Sequence, residues 1–135
     1  MVSMKVIYQG EKHCEIAHGP SNAVIATDAP KDNNGKGELF SPTDLVGAAL
    51  GSCMLTVMAI TAERDGVNIK GSSCSVEKEM IAGPRRIGKL TARLSLPANI
   101  PMEYRQKLEV IAQTCPVKKS LHSELEVDLK FEYSL

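Results

Sequence analysis

Aromatic residues are scarce in this 135-residue chain, and neither sign of charge is in excess. Aromatic side chains make up 4% of the sequence and tryptophan is absent, which weakens any role that depends on stacking bases against rings. Lysine plus arginine equals aspartate plus glutamate at 16 each, so no basic surface is predicted for phosphates or anionic lipid headgroups. We therefore expect neither nucleic acid nor a membrane among the partners of this protein.

Cysteine is also sparse, and its positions lack the C-x-x-C spacing of zinc ribbons and thioredoxin-type motifs. Cys14, Cys53, Cys74 and Cys115 are widely separated along the chain, and we expect no bound metal. The N-terminal sequence MVSMKVIYQGEK has neither the charged start nor the apolar run of a secretory signal. A cytoplasmic protein with reduced thiols is the expectation that follows.

The distribution of apolar, polar and turn residues predicts one α+β domain over residues 1–135. Apolar residues account for 43% of the chain and charged residues for 24%, as is ordinary for a soluble globular protein. The predicted elements are strands over 4–9, 12–18 and 22–28, a helix over 41–66, strands over 73–81 and 86–96, helices over 101–114 and from Pro116 to about Leu121, and a strand over 125–133. Strands in adjacent blocks, in the order βββ-α-ββ-α-α-β, favour antiparallel sheets wrapped around the long central helix.

The helix predicted over 41–66 is apolar on almost every side. Ser41 is a suitable N-cap, Pro42 suits the first helical position, and Asp44 completes an S-x-x-D capping pattern. Gly66 supplies a left-handed end. A helix apolar all round is predicted to be buried, while the polar residues within it argue against a membrane span. A second subunit is a natural way to complete its burial, so we predict an obligate or near-obligate homodimer.

Two cysteines occupy inward positions on the predicted helices. Cys53 lies at the middle of the long helix, after small residues that allow close approach: Gly47, Ala48, Ala49, Gly51 and Ser52. Cys115 lies on the apolar stripe of the helix over 101–114, directly before Pro116, and is the predicted N-cap of the next helix, where backbone N–H groups favour a thiolate. The two thiols can meet as a redox pair, and packing as small hydrophobic residues is the alternative.

The segments around these cysteines carry a recognisable pattern: S-P-T-D-L-V-G-A-A-L-G-S-C-M around Cys53 and T-C-P-V-K-K-S-L around Cys115. With the order of elements, they resemble the OsmC/Ohr family of thiol-dependent hydroperoxide reductases across almost the whole chain. The resemblance implies an intertwined homodimer with active sites at the subunit interface, Cys53 as the peroxidatic thiol and Cys115 as the resolving thiol. It also implies that small organic hydroperoxides are reduced to alcohols without a bound cofactor, and that an external dithiol, from a lipoyl protein or another thiol donor, regenerates the enzyme.

The residues that would activate the peroxidatic thiol depart from the family pattern. The hydroperoxide-resistance branch carries an arginine in the N-terminal strands and a glutamate in the first turn of the helix. This chain has no arginine in those strands and has Thr43 at the carboxylate position, while the adjacent Asp44 faces about 100° away on the helix. Arg85 and Arg86, after the predicted hairpin turn, are the candidate replacement cations, and a solvated turn charge is the alternative for both.

Four apolar residues are candidates for a substrate pocket: Leu50, Met54, Met58 and Leu121. Such a pocket would suit alkyl or lipid hydroperoxides, although residues at helical spacing are also typical of an ordinary core. A non-enzymatic dimeric module that binds a small apolar ligand, or that senses redox state, is the alternative function. The distance between the two thiols separates these hypotheses, because a redox pair requires that the sulfurs come within reach of each other.

Overall fold

A computed structural model of the chain describes all residues from Met1 to Leu135. Its elements are β1 Met4–Tyr8, β2 His13–His18, β3 Val24–Asp28, a 3-10 turn Lys31–Asn33, α1 Pro42–Arg64, β4 Ser73–Ile81, β5 Arg86–Leu96, α2 Met102–Ala112, α3 Pro116–Ser120 and β6 Glu126–Tyr133. The predicted order and the mixed α+β class are confirmed. The residues cluster into two compact units, Met1–Val46 and Gly47–Leu135, and the single domain predicted from the sequence stays a prediction.

The N-terminal unit, Met1–Val46, is built on a three-stranded antiparallel sheet in the order β1-β2-β3. All five residues of β1 are exposed in the chain, and Val6 keeps 60% of its surface. Because successive side chains of a strand point to opposite faces, both faces of β1 are uncovered. Val24 and Ile25 of β3 are exposed as well. The single chain therefore leaves apolar surface of this sheet in contact with water.

The N-terminus of α1 is closed by a reciprocal pair of hydrogen bonds, as the S-x-x-D pattern predicts. The backbone N–H of Ser41 donates to Asp44 Oδ2 at 2.8 Å, and the backbone N–H of Asp44 donates to Ser41 Oγ at 3.1 Å. Two of the N–H groups that a helix start leaves without helical partners are satisfied in this way. The sequence thus determines where α1 begins.

The C-terminal unit, Gly47–Leu135, contains the sheet β4-β5-β6. The hairpin of β4 and β5 is antiparallel and has the predicted bounds. The expectation of antiparallel pairing fails at β6, which is parallel to β5. The reason is the connection: α2 and α3 lie between these two strands, and a crossover through helices returns the chain in the same direction.

One face of α1 packs against this sheet. Its buried residues follow the spacing of a single helical face: Gly47, Leu50, Gly51, Met54, Met58, Thr61 and Ala62. Glycine permits the approach, because a Cβ at Gly51 would lie 3.1 Å from Val76 Cγ2 and 3.3 Å from Cys74 Sγ. These close contacts set the position of the helix over β4.

The opposite face of α1 is exposed in the single chain, and its burial by a second subunit stays a prediction. The exposed residues of that face are Ala48, Ala49, Ser52, Thr56 and Ile60. One sheet covers one side of a helix, so in the single chain the apolar residue Ile60 keeps 61% of its surface. Length and composition alone would suffice for α1 to cross a membrane, and the core helix of a globular protein meets the same two criteria.

Candidate redox site

Cys53 is held at the middle of α1, with helical turns on both sides. The helix runs from Pro42 to Arg64, so this thiol gains little from the partial charges of the helix ends, which act within the terminal turns. Its side chain is half-buried, next to the fully buried Met54. Cys53 therefore combines a fixed backbone with a residue surface that is only partly covered.

Cys115 is placed by the break between α2 and α3. α2 ends at Ala112, Pro116 opens α3, and Cys115 is the N-cap of α3, as predicted. The backbone N–H of Lys118 donates a hydrogen bond to Cys115 Sγ at 3.4 Å. The side chain of Cys115 has no exposed surface. The fold thus holds this sulfur in a fixed position away from water.

The thiol of Cys53 is a near neighbour of the Cys115 thiol and interacts with it. Burial is the main cause that raises the pKa of Cys115, the interaction with Cys53 raises it further, and the Lys118 N–H acts in the opposite direction. At neutral pH Cys115 therefore keeps its proton. The contact that a redox pair requires is present within the C-terminal unit.

Two thiols in contact can cycle between a dithiol and a disulfide. If one sulfur is oxidised to a sulfenic acid, the other can condense with it, release water and prevent further oxidation. The remaining cysteines, also free thiols, lack this arrangement. Cys14 lies on β2 of the N-terminal unit, and Cys74 packs against Gly51, where burial raises its pKa and disfavours the reactive thiolate.

Of the two candidate arginines, Arg86 is the first residue of β5 and Arg85 lies in the turn before it. Arg86 Nη2 lies 3.7 Å from Glu124 Oε2, and Arg86 Nη1 donates to the carbonyl of Ile87 at 3.2 Å. A carboxylate therefore balances the charge of Arg86 locally, as in a structural ion pair. Arg85, the preceding residue, is exposed.

Thr43 and Asp44 lie in the first turn of α1 and belong to the N-terminal unit. Thr43 Oγ1 is 3.1 Å from Ser41 Oγ, and Asp44 holds the Ser41 N–H through its carboxylate. These contacts make Asp44 a helix cap. Neither residue shares the unit in which the two thiols meet.

The candidate pocket residues on α1 are core residues in the structure. Leu50, Met54 and Met58 have no exposed surface, because they lie on the face that packs against the C-terminal sheet. They therefore do not line an accessible pocket, which corrects that expectation. Leu121 is half-buried and is the C-cap of α3.

An open groove of about 370 Å³ lies elsewhere along α1, and the sequence did not point to it. Leu55, Ala59 and Ile69 give it an apolar floor, and Glu63 and Lys70 bring one charge of each sign. The groove is formed by a half-buried side of the helix and the loop that follows it, so no periodic signal marks it. It contains neither Cys53 nor Cys115.

A histidine and a carboxylate of the N-terminal unit also escaped the sequence reasoning. His13 Nδ1 lies 2.6 Å from Asp28 Oδ1, and these residues face each other across β2 and β3. Asp28 is buried, and its backbone N–H donates to the carbonyl of Phe40. The register of two strands brings the pair together, and no spacing in the sequence signals that register.

A model of the OsmC-like protein family matches residues 35–130, a range that includes α1 and both cysteines of the pair. A solved structure from Psychrobacter arcticus, provisionally described as an osmotic stress induced and detoxification response protein, is 39% identical to the chain. The two superpose with a TM-score of 0.93 over 98% of this chain and 96% of that one.

More distant solved structures share the fold. An organic hydroperoxide resistance protein OsmC from Legionella pneumophila has a TM-score of 0.79 at 15% identity, over 98% of this chain and 96% of that one. An OsmC-like protein from Mycoplasma pneumoniae has a TM-score of 0.80 at 13% identity, over 100% and 98% of the two chains. At such identities the likeness concerns the fold alone. Among curated proteins, none matches the chain.

Proposed function

Because this chain belongs to the OsmC-like protein family, we propose that it is a thiol-dependent peroxidase that reduces organic hydroperoxides to alcohols in defence against oxidative stress. The observation that carries the proposal is that the thiols of Cys53 and Cys115 are neighbours that interact with each other. Such a peroxidase needs one sulfur that the peroxide can reach and a second that can condense with it. The half-buried Cys53 and the fully buried Cys115 match these two roles.

In the first step, the thiolate of Cys53 attacks the terminal oxygen of the hydroperoxide. A sulfur–oxygen bond forms, the oxygen–oxygen bond breaks, and the alkoxide takes a proton and leaves as the alcohol. Cys53 is then a sulfenic acid. The thiol of Cys115 attacks the Cys53 sulfur, water leaves, and a Cys53–Cys115 disulfide results.

An external dithiol completes the cycle, and no bound cofactor takes part. Reduction of the disulfide consumes two thiols and returns the Cys53 and Cys115 thiols. A lipoyl protein or another thiol donor is the proposed source of the dithiol, and a small-molecule hydroperoxide is the proposed oxidant.

We propose that one of two arginines, Arg85 or Arg86, stabilises the departing alkoxide. A cation beside the reacting oxygens lowers the barrier by stabilising developing negative charge. Arg85→Gln and Arg86→Gln, compared in one assay, test the two candidates: the catalytic cation is the one whose loss lowers kcat/KM for hydroperoxide. Equal and unchanged kcat/KM in both variants would remove both arginines from the proposal.

We propose that the active protein is a homodimer with its active sites at the interface. What supports this is apolar surface that one chain leaves exposed, at Val6 and Ile25 on the N-terminal sheet and at Ile60 on α1. Exposed apolar residues of this kind are typical of an interaction site, and a second copy would cover them. Sedimentation over a dilution series should give the mass of a dimer. A folded, stable monomer at all concentrations would contradict this part of the proposal.

We propose a cytoplasmic location. Four cysteines that are all free thiols suit a reducing compartment. Cell fractionation with a tagged chain tests this, and recovery outside the cytoplasm would contradict it.

A peroxidase assay with cumene hydroperoxide, supplied in turn with dithiothreitol and with dihydrolipoamide, tests the function. Turnover is expected, and Cys53→Ser should abolish it. The Cys115→Ser variant should lose activity over successive cycles, because the sulfenic acid on Cys53 then lacks the thiol that protects it. Cys14→Ser is the matched control and should keep full turnover. Absence of turnover by the wild-type protein with both reductants would contradict the proposal.

The second candidate function is a non-enzymatic module that binds a small apolar ligand or senses redox state. The observation that favours it is the first turn of α1, where Asp44 is bonded to Ser41 as a cap. An apolar molecule that co-purifies with the protein, together with thiols that titrate near the unperturbed value of about 8.5 and no turnover, would support this function instead.

A further inference from the structure

The two sulfurs of the redox pair differ in how far they can be reached, and this difference assigns the direction of the reductive step. We propose that the external dithiol attacks the sulfur of Cys53 in the Cys53–Cys115 disulfide, and that Cys115 is the leaving thiol. The inference deepens the proposed peroxidase function and rests on it. It adds the site of attack and the identity of the leaving group.

Access favours Cys53 as the sulfur that is attacked. Thiol–disulfide exchange requires a nucleophile to approach the sulfur from the side opposite the bond that breaks, so its rate depends on which sulfur is exposed. Cys115 has no exposed surface, whereas Cys53 is half-buried. We therefore expect a dithiol to reach the sulfur of Cys53 and not the sulfur of Cys115.

The proposed dimer leaves this asymmetry in place. A second copy can cover more of the chain but cannot uncover Cys115. Cys53 must stay reachable for the hydroperoxide that oxidises it, and a dithiol can follow the same path. Oxidant and reductant thus use one opening, one after the other.

The contacts of Cys115 also suit its role as the leaving thiol, which remains part of the protein after the disulfide breaks. The backbone N–H of Lys118 already donates to its sulfur at 3.4 Å, and such a bond stabilises negative charge that develops on the departing sulfur. Burial acts against departure, since it raises the pKa of Cys115 and a thiol of higher pKa leaves more slowly. Access outweighs this effect, because a sulfur that cannot be approached is not attacked at any leaving-group pKa.

One sulfur of the dithiol bonds to Cys53 Sγ, the Cys53–Cys115 bond breaks, and its electron pair stays on Cys115, which takes up the proton that the attacking thiol released. The second thiol of the same reductant then attacks the reductant's own sulfur in the mixed disulfide. A cyclic disulfide leaves, Cys53 regains its thiol, and two electrons have passed from the dithiol to the protein.

Trapping the mixed disulfide tests the assignment. The full chain is oxidised with one equivalent of cumene hydroperoxide, and the free thiols Cys14 and Cys74 are blocked with N-ethylmaleimide. A monothiol, N-acetylcysteamine, is added and cannot complete the second step. Rapid acid quenching, alkylation with iodoacetamide and peptide mass spectrometry then locate both labels. We expect N-acetylcysteamine on Cys53 and iodoacetamide on Cys115, and the reverse pattern would overturn the inference.

The same experiment separates failure of this inference from failure of the proposed function. If hydroperoxide forms no disulfide, the peroxidase function fails, and diamide is used to form the disulfide so that the position of the tag still decides the direction of attack. If diamide also forms no Cys53–Cys115 disulfide, the inference is overturned as well.

A second measurement reports access to each sulfur directly. N-ethylmaleimide should alkylate Cys53 in the Cys115→Ser variant at least about tenfold faster than it alkylates Cys115 in the Cys53→Ser variant, because only a sulfur that the reagent can reach reacts. In urea the two rates should converge, which shows that the fold causes the difference. Similar rates in the native variants would contradict the asymmetry on which the inference depends.

Discussion

The two compact units of the chain differ in what they bury. The C-terminal unit, Gly47–Leu135, holds all of the buried apolar core, including Leu90 and Leu94. The buried residues of the N-terminal unit, Met1–Val46, are polar: Thr27, Asp28 and Ser41. One unit thus has a hydrophobic core of its own, whereas the other presents a sheet with exposed apolar residues on its outer strands, β1 and β3. The redox pair belongs to the unit that has the core, where packing can hold two sulfurs in contact.

The largest loss of stability is expected from a substitution that disrupts the core of the C-terminal unit. Leu94→Ala removes a fully buried side chain from β5 and should lower the free energy of unfolding by about 2–5 kcal/mol. Val6→Ala, on the exposed β1, is the matched truncation in the N-terminal unit. Its effect should depend on protein concentration if Val6 lies in a dimer interface, and that of Leu94→Ala should not. Urea unfolding at two protein concentrations measures both, and equal, concentration-independent losses would contradict the contrast between the units.

A smaller effect is expected where α1 meets β4. Gly51→Val would place side-chain atoms against Val76 and Cys74, and such overpacking should cost about 1–3 kcal/mol. Gly47→Ala is the control, because its Cβ would make an ordinary contact at 3.4 Å from Val76 Cγ1. Replacing a helical glycine with alanine should then stabilise the protein by up to about 1 kcal/mol. Thermal unfolding measures the stability of both variants. A Gly51→Val variant more stable than the wild type would contradict the close packing of α1 against β4.

Removing the cap of α1, in the N-terminal unit, should cause the next smaller loss of stability. Ser41→Ala removes the oxygen that accepts the Asp44 N–H and should cost about 1 kcal/mol. Ser52→Ala, on the exposed face of the same helix, should change stability by no more than about 0.5 kcal/mol. Denaturant midpoints compare the two substitutions. A Ser41→Ala variant as stable as Ser52→Ala would contradict the capping role.

The smallest effect concerns a surface carboxylate of the C-terminal unit. Hydrogen bonds from Lys107 and then Tyr104 lower the pKa of Asp65 below its usual range. A lowered pKa contributes stability that is present above the ordinary carboxyl value and is lost as pH falls through the folded value. Asp65→Asn should therefore be less stable than wild type at neutral pH, and the difference should shrink below about pH 4. Unfolding midpoints of both proteins across this pH range test the prediction. A stability difference that grows on acidification would contradict it.

Local patterns in the sequence predicted most of the elements. The hairpin of β4 and β5 was predicted with its bounds, since turn residues and apolar alternation lie within the segment itself. The cap at Ser41 and the break at Cys115–Pro116 are likewise local. Composition shows that α1 is apolar but does not show which of its faces the single chain covers.

Features set by long-range pairing could not be read from the sequence. The parallel direction of β6 follows from the crossover through α2 and α3, and the ion pair of Arg86 with Glu124 follows from where the loop before β6 lies. The burial of Met54 and Met58 depends on which face of α1 meets the sheet. The sequence places Cys53 and Cys115 at inward positions on two separate helices, which makes their contact a hypothesis. Whether the thiols meet depends on how those helices pack, and the sequence does not show that packing.

The identity of the disulfide formed under peroxide tests the redox pairing most directly. The wild-type chain is treated with one equivalent of cumene hydroperoxide, alkylated without reduction, digested and analysed by mass spectrometry. We predict one disulfide, between Cys53 and Cys115, with Cys14 and Cys74 recovered as alkylated free thiols. A disulfide that involves Cys14 or Cys74, or a sulfenic acid on Cys53 that persists beside a free Cys115 thiol, would contradict the pairing.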